Sequence, residues 1–422
     1  MGVFNAFSVA LSALQAESAG IDATGNNLAN LNTTGFKGSN VEFLDMVSQA
    51  IGVGADSSSI GLGVTSPLNI QQFTQGSIET STSPLDCAIQ GNGFFVVNDA
   101  SGDQLFTRDG SFTVNDDGVL QTQTGENVQG WMTTNGVLNT NGATGNIVVP
   151  SGTTLPPVAT QNVSLDVNLN ANATADATST FSQPVQVYDS LGQAHTLTFT
   201  FVKSGANAWT ATVTMPGADV GSATAVQVGT VNLTFDPSTG LLTGPAAGAT
   251  TGAVKLSLGS NNLADGAKLP DFSWNLYNSD GTPTLTQYAQ SSALSSSTQD
   301  GSAAAQMTSI SITTGGQVTA TFSNGQTEVE AQIALANIRN PDSLTNVGNN
   351  EFAASGTTAA PAIGAPQTGG RGQILGSSLE ASNVDMATQF TNLIVYQRGY
   401  EAATKVISTA DQMSQELADL IR

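Results

Sequence analysis

Two amphipathic stretches at opposite ends of the chain set the tightest limits on its fold. From Ala381 to Arg422 apolar residues return at helical spacing: Met386, Phe390, Leu393, Tyr400, Ala403, Ile407, Ala410, Met413, Leu417 and Leu420. That spacing predicts one apolar stripe on one helix. About 36 helical residues at about 1.5 Å each make a rod of about 54 Å, against the ~11 residues of an ordinary globular helix. A rod of that length needs a partner along it. The other end offers one, because Phe4, Phe7, Leu11, Leu14, Ile21 and Leu28 form a second stripe in a helix expected over residues 3–30. Four of them, Phe7, Leu14, Ile21 and Leu28, keep a strict heptad interval, which predicts that the two ends pair as a coiled coil.

Composition narrows what lies between. A chain of 422 residues exceeds a single core and predicts two or three domains. Only 10% of its residues are charged and the net charge is -22. Ten basic residues scattered from Lys37 to Arg422 make no phosphate-neutralising stripe, which argues against nucleic acid and against an anionic membrane surface. No stretch approaches the ~20 apolar residues of a membrane span. The start lacks a basic n-region, an unbroken apolar run and a cleavage site, so the expectation is a cytosolic protein or one exported with its end intact. Cys87, the sole cysteine, lies in an apolar run and reads as a small buried hydrophobe. His195 is the sole histidine, which closes off multi-histidine metal sites. It stands in GQAHTLTFTF and reads as a structural or exposed imidazole rather than a ligand. No catalytic, cofactor or metal site is expected, since no nucleophile, base and orienter lie near one another.

After the first helix, Asn26, Asn27, Asn30, Asn32, Thr33, Thr34 and Gly35 crowd together and read as a helix stop with a sharp turn. The turn leads into Phe36 and Lys37, then a segment with Val41, Phe43 and Leu44, and a Gly/Ser connector over 52–66. From Leu85 the period changes to two: Ala88, Ile89, Phe94 to Val97, Leu105, Phe106, Phe112 and Val114 form short runs cut by GNG, DASGD, RDG and NDDG, the pattern of antiparallel β-structure. Asp116 and Asp117 belong to such a turn.

A Pro-rich joint near 150–160 opens a new β block in which Val163, Leu165, Val167 and Leu169 alternate with polar residues. So do Leu197, Phe199 and Phe201, then Trp209, Ala211, Val213 and Met215. Further strands are expected in 231–235, 254–258 and 272–276. Half-buried strands with one wet face predict a sandwich or barrel, closed by a Ser-rich linker at 291–305. Beyond it Ile310, Ile312, Val318 to Phe322, the turn Asn324-Gly325, Val329, Ile333 and Leu335 resume the β pattern. Glu328 and Glu330 share a strand face, an arrangement a glycosidase can use. Their alternation with Val329, Ala331 and Ile333 instead places them, with Gln326 and Gln332, on the solvated side. A Gly/Ala/Pro loop over 355–373 returns the chain to its last helix.

The predicted class is α+β, with paired terminal helices (1–36 and 376–422) and nested mainly-β antiparallel sandwich or barrel domains. A connector (37–82 and 373–375) leads to an inner β domain (83–157 and 301–372). A second β domain (158–300) is inserted into that one, and the nesting puts it farthest from the helices.

Four stretches carry a resemblance. ANLNTTGFKGSNVEF (29–43), LDCAIQGNGFF (85–95), VQVYDSLGQAHTLTFTFVK (185–203), and LEASNVDMATQF with YQRGY and KVISTADQM (379–413) closely resemble the bacterial flagellar hook family. The likeness covers both ends, the first β block and part of the insert, and is weakest over 216–300. The terminal motifs, with Asn26, Asn27, Asn30, Thr34, Gly35, Phe36 and Lys37 at the turn, are shared by rod and other axial flagellar proteins. The YDSLGQAH turn and the large insert favour hook over rod. Gly399 and Ala402 to Thr404 interrupt the apolar run, a departure that leaves the resemblance intact.

The resemblance implies a structural subunit that polymerises helically into a hollow, curved tube, a universal joint transmitting torque from rod to filament. It implies many copies of itself as partners, together with rod, hook cap and hook–filament junction proteins. Passage through the flagellar type III export apparatus without signal cleavage would place it outside the cell. Alternatives are another axial component such as a distal rod protein, or a secreted β-sandwich binding protein or adhesin. The stripes add a physical expectation. Helices in water depend chiefly on tertiary burial, so the terminal helices are expected to fold on assembly and to stay largely disordered in the monomer.

Overall fold

The computed structural model describes residues 2–46, 49–51, 58–134, 136–149, 152, 154–176, 179–246, 253–259 and 263–420; the side chains of 2–4, 49–51, 58–60 and 417–420 fall outside that description. Two helices and many short strands make up the chain. They form two compact units, Met1–Ser151 with Ser309–Thr321 and Thr327–Arg422, and Gly152–Thr308 with Phe322–Gln326.

In the first unit α1 (Gly2–Ala29) packs along α2 (Met386–Leu420). Their 28 and 35 residues match the expected rods. Asp385 starts α2 as its N-cap, with Oδ1 accepting the N–H of Thr388 at 2.7 Å. The chain leaving α1 and the chain returning to α2 run together, since Ile78–Thr80 pairs antiparallel with Ser378–Glu380 and Cys87–Gln90 with Gln373–Gly376. Ser39–Glu42 pairs with Leu68–Gln71. The larger sheet of this unit is antiparallel in the order Gln317–Phe322, Thr327–Ile333, Asn127–Thr134, Phe94–Asn98, Gln104–Thr107, Glu351–Ala353, Thr345–Gly348. It buries Phe95, Val96, Val97, Phe106 and Phe352. Cys87 is fully buried and unpaired, and burial pushes its thiol well up. The 52–66 connector contains a strand, Ser58–Ile60, paired with Gln49–Ile51, while residues 52–57 lie outside the described residues. The 355–373 loop contains one as well, Ala362–Gly364.

Thr327–Ile333 departs from simple alternation. Glu328 is exposed, but Glu330 is half-buried, with its carboxyl pushed up by burial and by Glu328, and Gln332 is buried, donating to Gly315 O at 2.6 Å. A register shift opposite Val318/Thr319 breaks the period-two pattern that placed all of them on the wet side.

The second unit holds two five-stranded sheets whose buried side chains enter one core. One is antiparallel: Thr180–Tyr188, Ala194–Gly205, Ala208–Met215, Val226–Phe235, Leu242–Gly244. Phe199, Phe201, Trp209 and Met215 point inward from it, and Phe199 stands edge-on to Trp274 of the other sheet at 5.1 Å. The other sheet corrects two expectations. Asn162–Asn170 pairs parallel with Phe272–Asn275 and Leu285–Tyr288, so the block is not purely antiparallel. Its remaining edge is taken by Ala293–Gln299, the stretch expected to be a linker. A Ser/Thr-rich strand gives little apolar signal, yet its backbone completes the ladder and satisfies the edge of Asn162–Asn170.

Candidate assembly interface

The helix pair is where the structure differs most from the one-stripe expectation. Residues buried on α1 are Ala10, Ala16, Gly20, Ala23, Thr24 and Asn27; on α2 they are Gln389, Ala403 and Ala410. The seam is therefore made of small and polar side chains. Ring packing accounts for one of these positions: a Cβ on Gly20 would sit 3.0 Å from the Tyr396 ring, so glycine leaves that ring its room.

The large residues flank this seam. Phe7, Leu14, Ile21 and Leu28 are half-buried to one side of it, and Leu11 is 53% exposed. On α2 Leu393 and Ile407 are half-buried, whereas Met386, Phe390, Ile394 (58%), Val395 (59%), Tyr400, Val406 and Met413 are exposed. At about 100° per residue, Val395, Val406 and Met413 lie on one flank of the α2 seam, Met386, Phe390 and Tyr400 on the other, and Ile394 opposite the seam. The single stripe is thus corrected to a seam with two apolar flanks, because the apolar arc is too wide for one partner helix. Phe4, Leu417 and Leu420 are helical, with side chains outside the described residues. Large apolar residues gathered on two exposed flanks are a surface that another chain can cover. Full burial of such a side chain stabilises by about 1.5–3 kcal/mol; covering the exposed halves of eight gives roughly 6–12 kcal/mol per chain as an upper limit.

Below the helices the Asn/Thr turn proves to be a polar joint. Asn27 donates to Ser39 O (2.7 Å) and Gln389 Oε1 (3.1 Å) and accepts from Ser39 N–H (2.9 Å). Asn30 Nδ2 donates to Asn26 O, which closes the helix end, and Asn350 Nδ2 donates to Thr34 O. Gly35 has φ +67°, and a Cβ there would meet Asp109 N at 2.6 Å, so only glycine fits. Phe36 is buried. Lys37, also buried, donates to Thr74 O at 2.7 Å and to Glu380 Oε1 at 2.6 Å, while Arg108 donates to Glu380 Oε2 at 3.1 Å. Burial pulls the Lys37 ammonium and the Arg108 guanidinium below their ordinary ranges, and Glu380 opposes both shifts. One carboxylate thereby ties the outgoing chain, the β block and the returning chain. A buried ion pair contributes register more than net stability.

Periodicity does not single out Glu380, Arg108 and Gln389. A charge-poor chain gives the available signal: with ten basic residues in 422, a cation inside a motif calls for an acceptor, a carboxylate for Lys37 and Arg108 and backbone carbonyls for Lys203.

Four family models match in sequence order: the flagella basal body rod protein (7–37), the flagellar hook protein FlgE/F/G D1 domain (88–178), the flagellar basal body protein FlaE D2 domain (157–302) and the flagellar basal body rod FlgEFG protein C-terminal (376–420). The chain is 33% identical to the flagellar hook protein FlgE of Treponema pallidum, over 98% of each chain. It is 31% identical to that of Salmonella typhimurium, over 98% of this chain and 99% of the relative, and 31% identical to that of Rhizobium meliloti over the whole of both. At these identities across essentially its full length, the chain belongs to the flagellar hook protein family.

Proposed function

We infer that this chain is a structural subunit of the bacterial flagellar hook, polymerising helically with copies of itself into a hollow, curved tube that transmits torque from rod to filament. The observation that carries the reading is the helix pair, whose intrachain seam uses alanine and glycine while eight large apolar residues stay exposed outside it, six of them on its two flanks. Apolar flanks on both sides of one seam suit a subunit with a neighbour on each side, which a helical polymer supplies. The flanks then close into a coiled-coil-like wall in the assembly. Rod, hook cap and junction proteins are partners at its ends, and type III export carries it to the cell exterior. The extended turn of Asn27, Gly35 and Lys37 fixes where each helix leaves the β block.

A seam of small residues buries little apolar area, so pairing within one chain contributes little and neighbours contribute the rest. Folding of the terminal helices is therefore coupled to assembly. Circular dichroism of dilute and assembled protein tests this together with electron microscopy. Curved tubes with a helical signal that grows on assembly are expected. Monomers as helical as polymers would remove the coupling, and failure to form any polymer would remove the hook reading.

A further inference from the structure

In the second unit three segments meet around the chain's one histidine. Asp189 opens the turn after Thr180–Tyr188, and its Oδ1 accepts the N–H groups of Leu191 (2.8 Å) and Gln193 (2.9 Å). That leaves Oδ2 facing His195 Nε2 at 3.1 Å. On the other side of the ring, Nδ1 lies 3.2 Å from Asp219 Oδ2, in the short 3-10 turn Gly217–Val220. Asp265 completes the group: one ligand atom each from Asp189, His195 and Asp265 lie within 4.8 Å of one another. His195 and Asp189 are buried, whereas Asp265 is exposed.

A neutral imidazole carries a single N–H, so of two carboxylates at its two nitrogens one faces a lone pair, a place that a metal ion fills. Asp265 brings a further carboxylate to the Asp189 side of the ring, with one ligand atom of each of the three residues within 4.8 Å of the others. Among the described residues no lysine or arginine forms an ion pair with Asp189, Asp219 or Asp265. The segments are also held in place by backbone. Ala264 N–H donates to Asp219 O at 2.8 Å, Ser190 N–H to Lys268 O at 3.0 Å, and Ala267 N–H to Asp265 Oδ1 at 2.9 Å.

We propose that Asp189, His195 and Asp265 form a site for one divalent transition-metal ion of the Zn²⁺ class, open to solvent on the Asp265 side. Mixed imidazole and carboxylate ligands suit such ions, whereas Ca²⁺ and Mg²⁺ prefer all-oxygen shells. His195 binds through the nitrogen that faces Asp189, and the Asp219 carboxylate, 3.2 Å from the other nitrogen, favours the tautomer with its proton on that side. The bound ion clamps the 189–193 turn, the 3-10 turn and the 263–268 loop against one another. The pattern was out of reach of sequence, where a lone histidine argued against a metal site, because its partners are separated by up to some seventy residues.

The full chain, stripped with a chelator, is titrated with Zn²⁺ by calorimetry while the His195 ring is followed by NMR in histidine-labelled protein. With one histidine in the chain, its signal reports this site alone. One ion per chain is expected, with the ring signals shifting in step with occupancy and excess Mg²⁺ failing to displace it. Asp265→Asn, at an exposed position that leaves the fold intact, lowers affinity about tenfold or more, and Asp219→Asn lowers it by a factor in the range of about 10–100. Zn²⁺ uptake that leaves the His195 signals unmoved, or no uptake at all, overturns the proposal.

Discussion

The helix pair and the core of the second unit place the same residue types in opposite ways. In the second unit Phe199, Phe201, Trp209 and Trp274 are fully buried and small polar residues face outward. In the helix pair alanines and a glycine are buried, while Phe390, Ile394, Val395 and Met413 face outward. A core finished within one chain places its largest apolar groups inside, since they release the most surface from water. A surface to be finished by another chain keeps them outside. The contrast yields a double dissociation. Val395→Asp should alter the stability of the single chain by no more than about 0.5 kcal/mol, as surface substitutions do, yet abolish tube formation in electron micrographs. Tubes of normal yield from this variant would mean that the flank faces solvent in the polymer too.

Phe199→Ala is the mirror case. Removing a buried ring that stands against Trp274 should cost about 3–5 kcal/mol, read by urea unfolding of the second unit, while tubes still form below the unfolding transition. Loss of tubes without loss of stability would erase the distinction between the two regions. A smaller effect sits in the seam. Gly20→Leu pushes a side chain into space that the Tyr396 ring already fills, 3.0 Å from where the new Cβ would stand, and overpacking of this kind costs about 1–3 kcal/mol. The loss should show as a lower temperature of depolymerisation, with urea unfolding of the second unit unchanged.

What could be read in advance follows the same contrast. Both helices, and strands such as Asn162–Asn170 and Ala208–Met215, were legible because one-sided burial writes a period into the sequence. The Ala/Gly seam was not, since small residues carry little hydrophobic weight and the larger neighbours on its flanks dominate the count. Ala293–Gln299 was hidden for a related reason: it is held by backbone pairing to Asn162–Asn170, and serines and threonines write no stripe. The Lys37–Glu380–Arg108 triad and the surroundings of His195 depend on segments distant in sequence. Periodicity reads neighbours along one element and is silent about such meetings.

The smallest expected effect asks whether the β block of the first unit is as self-contained as the second unit's core. Its probe is an acid pair that sequence reading passed over in favour of Glu328 and Glu330. Glu126 takes hydrogen bonds from the hydroxyls of Thr122 and Thr124, and Thr124 Oγ1 lies 3.5 Å from Glu351 Oε1. Burial, with the hydrogen bond and charge of Glu126 beside it, pushes the Glu351 carboxyl up to about 7. In the unfolded chain a glutamate titrates near 4.5, so between these values the folded unit holds a proton that the unfolded one releases. The stabilisation is fully present below about pH 4.5 and is lost as pH rises through about 7. Glu351→Gln keeps a neutral hydrogen-bonding group and should flatten that slope in urea unfolding curves. If the block is complete within one chain, the slope and its loss in the variant will be the same in monomer and tube. A slope present only in the tube would place this pair with the helix flanks, among the parts that neighbours finish.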